Sequence, residues 1–175
     1  MAGPTASAAV RLRAFPFISE MDKAAADVLG RAAGLRHFPK DTTIIEPGQL
    51  CPSVPFVERG RIRVRREGDG EIRFYDVGPG HTCVLALSCT LARTPSAVTA
   101  TAIAGTDAVL LPADAVAHAF ERDPVLQRYV LGVFSRRLED LMELATSAAT
   151  NRPTSTALLP PSFKRWTAHI CFNSA

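Results

Sequence analysis

"IIEPGQLCPSVPFVERGRIRVRREGDGEIRFYDVGPGHTCVLALSC", residues 44–89, decides the fold. Short apolar runs are cut by turn glycines at Gly48, Gly60, Gly70 and Gly80, about one every ten residues. Short strands with that punctuation specify an all-β sandwich or jelly roll. Residues 66–71 form the clearest hairpin loop, with Asp69-Gly70 at its centre. Apolar partners flank it: Ile62 and Val64 before, Ile72, Phe74 and Val77 after. The pattern begins at Leu35 with LRHF and ends with AVTATAIAGTD and AVLLP, up to Pro112. CVLALSC, residues 83–89, reads as one more strand of this series.

Helices flank this middle. Residues 19–33 carry Met21, Ala24, Ala25, Val28, Leu29 and Ala32 at helical spacing. Ser19 is placed to cap, Asp22 falls at the capping-box position, and Gly34 suits the exit. A short helix starts at Pro112, and a long one follows Pro124 to about residue 150. In the long helix Leu131, Phe134, Leu138, Leu141, Ala145 and Ala148 step by 3, 4, 3, 4, 3, a heptad seam with charged residues between. A typical domain helix is about 12 residues long. One twice that length with a narrow apolar stripe is expected to pair with a second copy of itself.

Composition excludes several classes. The chain has 175 residues, 47% hydrophobic and 21% charged, which fits one domain with an appendage. No apolar run reaches membrane-spanning length, and residues 1–14 read as a loose arm without an export signal. A cytoplasmic protein with reduced thiols is expected. The net charge of +3 does not identify a nucleic-acid partner. Arg61, Arg63 and Arg65 alternate with Ile62 and Val64, so they share one strand face, read as a solvated outer surface. The cysteines form no C-x-x-C pair, so no metal site is expected. No nucleophile–base order or phosphate loop starts an enzyme reading, and no catalytic residue is assigned.

The order of helix, glycine-punctuated roll, short helix and long heptad helix resembles the sensor half of the Crp/Fnr transcription regulators. Ile45 to Gly48, Val57, Gly60, Ile62, Val64, Asp69-Gly70, Tyr75, Val77 and Pro79-Gly80 carry the resemblance, over about residues 15–150. It implies a mainly β architecture with flanking helices: a cyclic-nucleotide-binding-like β-roll, residues 15–122, and a dimerisation helix, residues 123–150. It also places a small-ligand cradle at Gly80, His81, Thr82, Cys83, Val84, Leu85, Ala86, Leu87 and Ser88, continuing at Ser96, Ala97 and Val98. In the family that cradle grips a cyclic nucleotide with a Glu on the ribose and an Arg-Ser or Arg-Thr pair on the phosphate. Here Leu85 stands about where the Glu belongs, and Thr94, Pro95 and Ser96 fill the Arg-Ser position, with Arg93 two or three residues early. The resemblance therefore implies an effector that the sequence does not name, and argues against cyclic AMP or cyclic GMP.

Cys51, Cys83 and Cys89 are read as buried structural thiols, with a redox-sensing role as the alternative. As one strand, residues 83–89 would hold their two thiols roughly 20 Å apart, too far for a disulfide; if residues 85–89 turn into a helix, as the resemblance to the family's cradle implies, they come nearer. A cupin-like metal enzyme lacks its His-x-His pair, since the β segment has only His37 and His81. Residues 151–175 read as an atypical tail in place of a winged helix-turn-helix. DNA binding is expected only if a longer chain or a partner supplies that element. The expectation is a homodimeric, non-enzymatic sensor with no membrane partner.

Overall fold

The computed structural model describes residues 7–68 and 70–149. The first six residues, Asp69 and the expected atypical tail lie outside the described residues. The chain divides into two units, Met1–Val133 and Phe134–Ala175.

In the first unit, α1 (Ala8–Leu12), α2 (Pro16–Glu20) and α3 (Lys23–Ala32) lead into β1 (Gly34–Phe38), β2 (Thr42–Ile45), β3 (Ser53–Arg59), β4 (Ile62–Gly68) and β5 (Gly70–Val77). Then come α4 (Val84–Ala92), β6 (Thr99–Ala102), β7 (Thr106–Pro112) and α5 (Ala113–Arg122). α6 (Pro124–Ala149) begins in this unit and forms the described part of the second. Two antiparallel sheets, ordered β1-β7-β3 and β2-β6-β4-β5, make the roll. Among the described residues no helix is long and apolar enough to cross a membrane.

Three local expectations are corrected. CVLALSC is not a strand but most of α4. Residues 8–12 of the expected loose arm are helical, Leu12 is fully buried, and Arg11 pairs with Glu58 on β3 at 2.9 Å. The helix expected over 19–33 is split, and its cap is Asp22, whose carboxylate accepts from the amides of Ala24 and Ala25. Ser19 instead donates to the Pro16 carbonyl inside α2. Asp outcompetes Ser here because one charged oxygen takes two orphan amides. Ala33 leaves α3 in extended geometry, so Gly34 opens β1 and does not cap the helix.

The core follows from the alternation along β3. Val54 and Phe56 are fully buried on one face, and Phe56 packs on Phe15, Phe17 and Tyr129. Pro55 and Val57 turn the other way, into the roll, where Val57 joins Ile62, Val64, Val77 and Val98. Being covered on both faces explains why this stretch reads as a nearly unbroken apolar run. Each such side chain contributes about 1.5–3 kcal/mol through burial. Asp123 starts α6 by accepting from the amides of Val125 and Leu126 at 2.8 and 2.9 Å.

The outer arginine face is more than solvated. Asp76, its side chain only 3% exposed, accepts from Arg63 at 3.1 Å and Arg73 at 2.7 Å. A second carboxylate ties the other sheet. Asp107 on β7 faces His37 Nδ1 on β1 at 2.6 Å and accepts from Arg59 on β3 at 2.9 Å. The His37 bond, then the Arg59 bond and charge, hold its carboxyl below the usual range despite some desolvation. A depressed folded pKa gives stability that is present above the unfolded value, about 3.9, and lost as pH falls through the folded value. Asp107→Asn is therefore expected to lower the urea midpoint at about pH 6 and to match the parent protein near about pH 2. Parallel midpoint curves across that range would contradict this.

Candidate ligand pocket

The turn through Gly80, at φ +80°, returns the chain along β3. The Gly80 amide donates to the Val57 carbonyl at 2.8 Å, and the Val57 amide to the His81 carbonyl at 2.9 Å. The Thr82 hydroxyl donates to the Pro55 carbonyl at 2.7 Å. The His81 ring approaches the Pro79 carbonyl through Nδ1 at 2.8 Å, so the protonated nitrogen donates there. These bonds fix the point where α4 starts.

At that start two of the free helix-end amides are occupied. The Leu85 amide donates to the Tyr75 hydroxyl at 3.3 Å, and the Ala86 amide to Cys83 Sγ at 3.4 Å. The Leu87 amide continues to the Cys83 carbonyl at 3.1 Å. A helix start attracts anions because its first amides are unpaired; here protein groups hold those at Leu85 and Ala86, while the Leu87 bond is the ordinary first bond of the helix. Ser96 is likewise committed, donating through its hydroxyl to the Val98 carbonyl at 2.8 Å and accepting from the Val98 amide at 3.2 Å. Arg93 is the exposed, left-handed cap at the opposite end of α4, about 13 Å along the helix from its start.

A cavity of about 210 Å³ lies between the two sheets and the start of α4. Of the expected cradle, Cys83, Leu85, Ala86, Ser96 and Val98 line it. Gly80, His81, Thr82, Val84, Leu87, Ser88 and Ala97 do not; Val84 and Leu87 are buried elsewhere in the core, and Ala97 is exposed. Sequence reasoning missed the opposite wall: Arg36 and Phe38 from β1, Ile44 and Ile45 from β2, Pro52, Ser53 and Pro55 near β3. Ile62, Ala100 and Leu110 complete it. The alternation of LRHF could have flagged Arg36, because it shares a strand face with the core residue Phe38.

The helical form of residues 84–92 brings the thiols together. Burial pushes the Cys51 thiol up to about 12, with Cys89 and Cys83 close enough to add to the effect and Cys89 within hydrogen-bond reach. Cys83 is raised by burial, against hydrogen bonds from the Ala86 amide and the Tyr75 hydroxyl. Among the described residues no group of three or more His, Cys, Asp or Glu could hold a metal ion. The thiolate is the reactive form, and a free cysteine has a pKa of about 8.5. Cys51 is therefore expected to alkylate with iodoacetamide roughly a thousandfold more slowly than free cysteine at about pH 8. Peptide mapping by mass spectrometry reads the rate; one within tenfold of free cysteine would contradict a protonated thiol at Cys51, which is half-buried and not buried as expected, unlike Cys83 and Cys89.

A two-sheet roll is closed by a short capped helix, with a cavity beneath that helix. Residues 35–123, half of the chain, match the family model of the cyclic nucleotide-binding domain, and the chain belongs to that family. The fold is shared with a protein described as a Crp/Fnr-family transcriptional regulator from Eubacterium rectale. The TM-score is 0.73 at 22% identity, covering 81% of this chain and 66% of that one. It is also similar to the catabolite activator protein of Thermus thermophilus, with TM-score 0.62, 20% identity, and 76% and 63% covered. The sensor domain of the transcriptional regulator DNR from Pseudomonas aeruginosa gives TM-score 0.61 at 16% identity, covering 75% of this chain and 89% of that one. The chain thus spans just under two thirds of the first two regulators. Among curated proteins none matches it significantly.

Proposed function

We propose that this chain is the effector-sensing, homodimerising regulatory module of a Crp/Fnr-type regulator, and that its effector is not a cyclic nucleotide. The observation that carries the reading is the start of α4. The amides of Leu85 and Ala86 are held by the Tyr75 hydroxyl and Cys83 Sγ, and Leu85 lines the cavity where the resemblance places a carboxylate. A cyclic phosphate at the α4 start would lose its water without gaining those amides, and Arg36, the one guanidinium among the lining residues, stands at the cavity's rim; a poorly paired desolvated charge costs several kcal/mol. Dimerisation is supported by α6, on which Leu131, Leu138 and Leu141 of the heptad seam are 60%, 59% and 49% exposed in the single chain. Pairing of two such helices would carry the state of the roll to whatever follows α6. DNA contact would require a helix-turn-helix in a longer chain or a partner.

The test is a thermal-shift series read beside sedimentation. Cyclic AMP and cyclic GMP at millimolar concentration are expected to leave Tm unchanged, and the mass is expected to be twice that of one chain. A saturable shift with micromolar cyclic nucleotide would overturn the effector reading, and a monomeric mass would overturn the dimer.

A further inference from the structure

We propose that the cavity of the roll takes a small apolar monocarboxylate, with Arg36 as the group that selects the acid. The inference deepens the effector-pocket reading and rests on it. Size comes first. A cavity of about 210 Å³ is below the roughly 300 Å³ at which pockets for drug-sized ligands begin. An apolar cavity of about 150 Å³ holds benzene, so this one suits about eight or nine non-hydrogen atoms. That is a benzoate or a six-carbon fatty acid, and well short of a nucleotide.

The wall chemistry comes second. Phe38, Ile44, Ile45, Leu85, Val98 and Ala100 offer only apolar surface. No Asp or Glu lines the cavity, so an amine would find no counter-charge. Arg36 does line it, while being exposed, and so marks where the cavity meets solvent. Arg36 and Phe38 lie two apart on β1, and the guanidinium sits 5.7 Å from the Phe38 ring centre. His37, on the other face of β1, is matched by Asp107, as is Arg59. Among the described residues Arg36 has no carboxylate partner. A guanidinium binds a carboxylate in two parallel hydrogen bonds, and one guanidinium balances one negative charge. A ligand tail enters the apolar space while its acid group stays at the rim.

An inward charge on an edge strand also guards that edge against pairing, and any charge would serve there. The two roles separate by experiment. Titration calorimetry on the full chain compares benzoate and hexanoate with benzamide and hexanol, and with cyclic AMP. The acids are expected to bind at least tenfold more tightly than the neutral analogues. Arg36→Gln should erase that preference and Arg36→Glu should reverse it, with unfolding midpoints confirming that both variants fold. Equal binding of acids and neutral analogues would overturn the role of Arg36 while leaving an apolar effector pocket. Binding of none of the probes at millimolar concentration would overturn the ligand class. Cyclic AMP binding more tightly than the acids would overturn this inference and the reading of the α4 start together.

Discussion

Gly60→Ala is expected to cost the fold about 3 kcal/mol, from positive-φ strain of about 1–3 kcal/mol and overpacking of about 1–3 kcal/mol. Gly60 links β3 to β4 at φ +84°, and a Cβ there would lie 2.4 Å from the Gly105 carbonyl oxygen and 2.6 Å from Thr106 Cα. Backbone on that side cannot step aside cheaply. Thr106 is fully buried, and its hydroxyl oxygen accepts from the Arg61 amide at 3.0 Å. The same hydroxyl donates to the Ala104 carbonyl at 2.8 Å. Two turns, β3–β4 and β6–β7, are thus knit at the end of the roll. Gly48 is the control: its φ is +85°, but nothing lies within 4 Å of an added Cβ. Gly48→Ala should therefore show only the conformational strain, about 1–2 kcal/mol. Urea unfolding reads both, and equal losses at the two positions would show that the close approach at Gly60 is unimportant.

Leu138→Lys combined with Leu141→Lys is expected to raise the dimer dissociation constant by more than about a hundredfold. Leu138 is 59% and Leu141 49% exposed in the single chain, and Met142 and Leu144 are exposed as well. A soluble helix that leaves four such side chains to water has apolar surface to cover. Burying a Leu contributes about 1.5–3 kcal/mol, and in a symmetric pair each substitution acts twice. Even partial burial then exceeds the roughly 2.7 kcal/mol that a hundredfold change requires. Because these positions are exposed in one chain, the helical circular dichroism should change little. Sedimentation velocity across a dilution series reads the effect. A variant that dimerises like its parent would move the interface off this seam.

Much of the fold was legible because its signals are local. The glycine spacing from Gly48 to Gly80 marks real turns, and Gly48, Gly60 and Gly80 all carry positive φ. The alternation Ile62-Arg63-Val64 predicts which face of β4 is buried, and the structure agrees. The hairpin falls where the loop was expected, but most of residues 66–71 is ladder, with Arg66 opposite Ile72, Glu67 opposite Glu71 and Gly68 opposite Gly70, so the register does not centre on Asp69-Gly70 as expected. The long helix begins at Pro124, as expected, and continues through Ala149, the last described residue. The candidate site was half legible. Resemblance pointed to residues 80–98, of which Cys83, Leu85, Ala86, Ser96 and Val98 reach the cavity.

What the sequence determined by itself was a run of short strands between helical flanks and the inward face of β4, because both follow from spacing within a few residues. Tertiary structure decided the rest. A seven-residue apolar run such as CVLALSC has no period that separates strand from helix. It became α4 where Cys83 and Tyr75 could take its first amides. Nor could spacing tell that Arg36 stands across a cavity from Leu85, or that Cys51 meets Cys89. Those meetings join residues dozens of positions apart. Periodicity says which way a side chain points, and only the packing of whole sheets says what it points at.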